Sequence, residues 1–216
     1  MSKILNFIRR PVRYTYWNLN LYLIGTCVVL FILTMISPKI VNFYLGLYPP
    51  AVIQNHFYWQ FLTYMFMHGG ISHLFFNMLA LFFFGTPVEQ RMGSTDYSFF
   101  YFFTGITAGI FSFLIYWLTG QNVLLVGASG AIFGVLLAFA TYFPEERIFL
   151  FGIIPIPAYA LIVIYAGIEI LSMGSVSNVA HMTHLAGFGF AWLYLWLRMR
   201  INPIRVIIDT FKNRRR

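Results

Sequence analysis

Gly127-Ala128-Ser129-Gly130 sits inside an apolar run, Val123 to Phe143, that carries no charge. Three of its four side chains are tiny and the fourth is a hydroxyl. A serine flanked by glycine in such a run is either a packing device or a nucleophile. A helix that begins at Ser129 and stops before Pro144 has 15 residues. At 1.5 Å per residue it spans about 22 Å, less than the roughly 30 Å hydrocarbon core of a bilayer. Ser129 then stands below the outer surface at a helix N-terminus. Unpaired N–H groups and the positive end of the helix dipole favour an anion there. The competing reading is structural. Serine is common at N-caps, and Gly130, Gly134 and Ala138 form a small-residue face suited to close helix packing.

Composition makes this run one of several. Of 216 residues, 60% are hydrophobic and 9% charged, and the mean hydropathy is +0.76. A soluble surface needs more charge than that, so the expectation is an all-α membrane protein. The single cysteine, Cys27, excludes an intrachain disulfide and a cysteine metal cluster. A net charge of +8 would suit nucleic acid, but most of the excess lies in two short tails, which points instead to anionic lipid. No small-residue cleavage site follows the first apolar run, so no signal peptide is expected.

Outward from the serine, the chain reads as a six-transmembrane-helix bundle over residues 19–200, between basic cytoplasmic tails at 1–18 and 201–216. The spans are Leu19 to Ile36, Ser72 to Gln90, Tyr97 to Leu118, the run from Ser129, Ala158 to Leu171, and Ala180 to Leu197. Lys39 to Ile71 is aromatic and broken by Pro49, Pro50, Gly69 and Gly70, and is read as a membrane-associated first loop lying partly in the outer leaflet. Ile148 to Pro157 reads as a connection along the interface, and Gly174 to Asn178 as a small polar loop. Six spans put both termini on one side, and that side then holds 13 of the 14 Lys and Arg residues. The positive-inside rule makes it the cytoplasm. All five histidines fall in the outward half.

Several of these histidines sit where a serine would need them. A hydroxyl is a poor nucleophile until a base takes its proton, and histidine is the usual base. The sixth span carries His181 and His184 near its outward end, where ionisable groups are costly and usually functional. Ala186, Gly187, Gly189 and Ala191 leave that helix little side chain, so the fourth span can approach it closely. One or both histidines can equally serve only to bond loop backbone. His73 and Asn77, four residues apart, share one helix face at the outward end of the second span. They are either helix caps or donors aimed at a developing oxyanion. Glu89, Asp96, Glu145, Glu146 and Asp209 fall on the cytoplasmic side, and Glu169 has no assigned role. A Ser-His dyad is therefore expected rather than a triad with an orienting carboxylate.

The order His73-xxx-Asn77, Gly127-Ala128-Ser129-Gly130, His184-Leu185-Ala186-Gly187 resembles the rhomboid family of intramembrane serine proteases, over about residues 20–200. Met67-His68-xxx-Ser72-His73-xxx-Asn77 and Glu89-Gln90-Arg91-Met92-Gly93 look like that family's second span. The resemblance implies Ser129 as nucleophile and His184 as general base. It implies an oxyanion hole of His73, Asn77 and the Ser129 backbone N–H, with Gly127 leaving room beside it and Gly130 and Gly187 supporting it. His68 is implied to tie down the first loop, and Glu89 and Arg91 to hold the cytoplasmic end of the second span. His181 does not match the base. Many members carry Trp-Arg in the first loop where this chain has Trp59-Gln60, a change that bears on loop anchoring. The form expected is a minimal, bacterial-type one in the inner membrane, without a soluble N-terminal domain. Its implied partners are transmembrane protein substrates, cut near their outward ends, and membrane lipid; no nucleic acid is expected, and a monomer suffices for catalysis. The alternative is a rhomboid-like non-catalytic binding or quality-control module, which typically lacks the Ser or the His. A transporter would show paired intramembrane carboxylates or an internal repeat, and neither is seen. No cofactor and no metal is implied, since there is no H-E-x-x-H and no phosphate loop.

Overall fold

A computed structural model describes residues 3–150, 152–172 and 178–213. Its helices run α1 (Lys3–Ile8), α2 (Leu19–Ile36), α3 (Pro38–Leu45), α4 (Pro49–Asn55), α5 (Gln60–Thr63), α6 (Ile71–Ala80), α7 (Thr86–Met92), α8 (Ser94–Leu118), α9 (Ser129–Tyr142), α10 (Ala158–Leu171), α11 (Asn178–Leu197) and α12 (Pro203–Asn213). Of the polar loop expected at Gly174 to Asn178, only Asn178 lies within the described residues, and Arg214 to Arg216 also lie outside them.

Among the described residues, three stretches are long and apolar enough to cross a membrane: Leu19–Ile36, Ile71–Met92 and Ser94–Leu118. Their outward faces stay apolar, with Val29, Ile32, Phe76, Phe83, Phe99 and Trp117 all exposed. A helix that is hydrophobic all round belongs in lipid or in a core, and the molecule is a helical membrane bundle. The short helix α9 lies in its core, with eleven of its fourteen residues buried. It packs against α8 and α11 through small residues. A Cβ on Gly134 would meet Thr104 Cγ2 at 2.5 Å and Ala191 Cβ at 3.1 Å, and one on Gly187 would lie 2.1 Å from the Gly130 carbonyl oxygen. Backbones therefore touch where side chains are missing, as in close membrane-helix crossings. A Cβ on Gly189 would meet none of the described residues within 4 Å.

The second span is one rod, Ile71–Met92, with a π-helical segment at Leu81–Gly85 between α6 and α7. Pro87, in the first turn of α7, has no N–H to offer the preceding turn, a sufficient cause for a local shift in hydrogen bonding. Asn20 Nδ2 donates to the Leu81 carbonyl at 2.7 Å, so the neighbouring helix takes up part of the loosened ladder. At the end of this rod the buried Glu89 accepts the N–H groups of Leu19 and Asn20, at 2.7 and 2.8 Å, and the Ser94 hydroxyl. An acid in this position satisfies the open donors at the start of α2 and suits its dipole. Arg91 lies over the Tyr142 ring, 5.7 Å from its centroid, and links the rod to the end of α9.

The first loop holds α3, α4, α5 and a 3₁₀ turn at Tyr64–Phe66. Gln60, buried, anchors it: Nε2 donates to the Phe43 carbonyl at 2.7 Å, and Oε1 accepts the Tyr48 N–H at 3.0 Å. The amide thus supplies the anchor for which the family resemblance led one to look for arginine. Leu47 and Leu125 exchange backbone hydrogen bonds, fastening the chain just before Gly127 to this loop.

Two regions carry secondary structure that the sequence reading did not assign. The connection at Ile148 to Pro157 is a hairpin of β1 (Arg147–Leu150) and β2 (Ile154–Pro157), pairing Arg147 with Pro157 and Leu150 with Ile154. Pro155 and Pro157 are tolerated because a two-stranded sheet has only edge strands. The tail at 201–216 contains the amphipathic α12, with apolar Ile204, Ile208 and Phe211 four and three residues apart. The tail at 1–18 packs on the bundle, where the Thr15 carbonyl accepts the Ser94 N–H and the Leu197 carbonyl accepts Arg9 Nε.

Candidate active site

Ser129 is the first residue of α9, and a Gly127 in left-handed backbone (φ +131°) turns the chain into it. That φ favours glycine, and the space beside it requires glycine as well. A Cβ on Gly127 would lie 2.8 Å from His73 Cε1, 2.9 Å from His73 Nε2 and 3.6 Å from Ser129 Oγ. The His73 imidazole and the Ser129 hydroxyl therefore flank the same small space. The Gly127 N–H donates to the Tyr64 carbonyl at 3.0 Å, and the Tyr64 hydroxyl donates to the Gly105 carbonyl at 2.6 Å, which fixes the turn against the first loop and α8.

From α11, His184 reaches the serine: Nε2 and Ser129 Oγ are 2.8 Å apart. The approach depends on Gly187 resting on the Gly130 backbone, one turn along. The Phe133 ring stacks on His184 with centroids 4.2 Å apart and planes 6° from parallel. Ser129 and His184 are both half-buried, and the site is not sealed.

On the other side of the serine stand the second-span residues. Asn77 is buried, and among the described residues its Nδ2 has no hydrogen-bond partner. Buried amide donors are rarely left so, which marks the space beside it as one that an acceptor would fill. The ring of His68 lies edge-on to His73, with centroids 5.1 Å apart, and His68 Nδ1 is 3.3 Å from the Phe66 carbonyl. His68 thus joins the first loop to the second span. His56 lies apart, with Nδ1 3.0 Å from the Tyr58 hydroxyl.

The expectation that no carboxylate reaches the base does not hold. Glu169 of α10 is buried and spans two histidines: Oε1 is 3.1 Å from His184 Nδ1, and Oε2 is 2.6 Å from His181 Nδ1. The signal available in the sequence was a carboxylate within an apolar span; which face of α10 it occupies is not legible from periodicity in a helix apolar all round. Glu169, His181 and His184 are also the group among the described residues whose ligand atoms lie within 4.8 Å of one another. Ligands of a tetrahedral zinc ion at about 2.1 Å stand roughly 3.4 Å apart. The 2.6 Å contact is a hydrogen bond and would have to open before an ion entered.

A family model described as Rhomboid domain matches residues 55–201. RHOMBOID-like protein 2 of Arabidopsis thaliana is 34% identical over 165 residues, covering 71% of this chain and 50% of that protein. Rhomboid protease GluP of Bacillus subtilis (strain 168) is 35% identical over 141 residues, covering 65% and 27%. Inactive RHOMBOID-like protein 8 of Arabidopsis thaliana is 33% identical over 91 residues, covering 42% and 25%. The chain spans about half the length, or less, of these curated relatives.

Proposed function

Because this integral membrane protein belongs to the rhomboid family, we propose that it is an intramembrane serine endopeptidase that cuts transmembrane segments of other proteins near their extracytoplasmic ends. The observation that carries the reading is the 2.8 Å contact between Ser129 Oγ and His184 Nε2. In the first step the Ser129 proton passes to His184 Nε2 while Oγ bonds to the scissile carbonyl carbon. The carbonyl π pair moves onto oxygen. His73, the unpartnered Asn77 amide and the Ser129 backbone N–H stabilise that oxyanion, and donors of this kind are worth about 2.7–4 kcal/mol each. As the C–N bond breaks, His184 returns the proton to the leaving nitrogen. Water, activated by the same imidazole, then hydrolyses the acyl-enzyme.

Six spans, both termini in the cytoplasm and a bacterial inner membrane complete the proposal, supported by the distribution of Lys and Arg. Substrate comes from the surrounding lipid, and one chain suffices for chemistry. A cavity of about 720 Å³ opens between the rod at Ile71–Met92, the hairpin and α10, lined by Phe76, Phe83, Ile148 and Tyr165 and also by Glu146 and Arg147, and its apolar part suits side chains of a substrate segment. The test is cleavage of a reporter with a transmembrane segment in membranes, beside labelling by a fluorophosphonate. Ser129→Ala and His184→Ala are each expected to abolish cleavage while the protein still inserts. Full cleavage by either variant would sink the mechanism. A wild-type chain that neither cleaves nor labels would favour the non-catalytic binding module, which the match to an inactive relative keeps in view.

A further inference from the structure

The Glu169 carboxylate uses both oxygens on histidines of one helix, and one of those histidines is the one that touches the serine. Resting on the protease reading above, we propose that Glu169 is the positioning residue of a Ser129–His184–Glu169 triad, with His181 holding the carboxylate in place. A carboxylate only accepts hydrogen bonds. The contact at His184 Nδ1 therefore requires the proton on Nδ1, which leaves the lone pair on Nε2, 2.8 Å from Ser129 Oγ. That is the tautomer a general base needs. With its proton on Nε2, the ring would face the hydroxyl with a donor and face Glu169 with a lone pair.

Three contacts then fix the imidazole: Glu169 at Nδ1, Ser129 at Nε2, and the Phe133 ring across its face. The second oxygen matters too. A carboxylate tethered at one oxygen can swing about its side-chain torsions, whereas His181 at 2.6 Å closes that freedom. Glu169 gains no proton in the reaction. When His184 takes the Ser129 proton, the ring becomes cationic, and the fixed negative charge 3.1 Å away offsets it until the proton leaves with the amine nitrogen. The carboxylate stands on α10, the base on α11 and the nucleophile on α9, so the triad also requires these three helices to be in register at their Ser129 ends.

The experiment is Glu169→Gln in the full chain in membranes, measured for reporter cleavage, fluorophosphonate labelling rate and thermal unfolding midpoint. Glutamine keeps shape and a hydrogen-bonding oxygen while removing the charge and adding a donor that favours the wrong tautomer. The expected result is a fall in kcat and in labelling rate of the order of 10²–10⁴-fold, with KM for the reporter and the unfolding midpoint close to wild type. Glu169→Ala, with the carboxylate deleted, should recover labelling when formate is added and not when chloride is. Loss of the furthest-downfield imidazole N–H proton resonance in Glu169→Gln would accompany the fall. An active wild type beside an equally active Glu169→Gln overturns the triad while leaving the Ser-His reading standing. Glu169→Gln that loses folding, with Glu169→Ala unresponsive to formate, assigns the residue to helix packing and also overturns it. Wild-type activity lost on chelation and restored by zinc would make the cluster a metal centre and overturn it as well. A wild type without cleavage or labelling removes the protease reading itself, and this inference with it.

Discussion

A methyl group at position 187 would be built almost onto the Gly130 carbonyl, 2.1 Å from its oxygen and 3.1 Å from its carbon. Carbon and oxygen without a bond between them rest about 3.2 Å or more apart, so Gly187→Ala requires α9 and α11 to separate by about 1 Å. Neither side can relieve this by a rotamer change, because both contacts are backbone. His184 lies less than a turn away on the same helix. A displacement of that size takes its 2.8 Å contact with Ser129 Oγ beyond hydrogen-bonding range. Misplacing a catalytic group by about 1 Å costs on the order of 10²-fold in rate, and overpacking a helix contact costs about 1–3 kcal/mol. The assay is the initial rate of reporter cleavage in proteoliposomes, with the fluorophosphonate labelling rate and the unfolding midpoint measured on the same preparation. Gly189→Ala on the same helix is the control, since its Cβ would meet none of the described residues within 4 Å, and it should stay within about twofold of wild type. If Gly187→Ala labels and cleaves at the wild-type rate with an unchanged midpoint, the helix approach is not what brings base and nucleophile together.

Gln60→Leu leaves the Tyr48 N–H and the Phe43 carbonyl without their side-chain partner, and should lower stability by about 2–4 kcal/mol. The gain in limited proteolysis should fall within residues 39–71; cutting spread over the whole chain would count against a local anchor. His68 is pushed down to about 4 by burial and then by nearby His73, against about 6.5 in an unfolded chain. Between those values the unfolded chain takes up a proton that the folded one refuses, so stability is lost as pH falls from about 6.5 toward 4 and is flat above. Unfolding midpoints should therefore decline over that interval, less steeply in His68→Gln, and an identical decline in both would refute the assignment.

The pairing of Ser129 with His184 was legible because the residues that bring them together are themselves a pattern. Glycines and alanines recur at helical spacing on both α9 and α11, and close approach follows from missing side chains. The length of α9 was legible from Pro144, which ends it. Glu169 was visible as a carboxylate in an apolar span, but α10 shows no polar face, so nothing in its periodicity said that the residue points at α11. The hairpin at Arg147–Leu150 and Ile154–Pro157 was hidden by its prolines, which speak against strands unless both are edges. Gln60 shows the converse: it looked like the loss of an anchoring arginine, yet an amide with a donor and an acceptor satisfies two backbone groups of the loop at once.

What the sequence determined by itself is the solvent and the segments. Apolar runs of spanning length and small-residue faces are local properties, and each follows from the cost of exposing the wrong atoms to water or lipid. What only the tertiary structure decided is how each helix is turned about its own axis. Rotation sets which side chains on neighbouring helices meet, and in helices that are apolar on every face hydropathy barely constrains it. Packing does: Gly187 against Gly130 brings His184 to Ser129, Gly127 makes room for His73, and α10 is turned so that Glu169 stands behind the base.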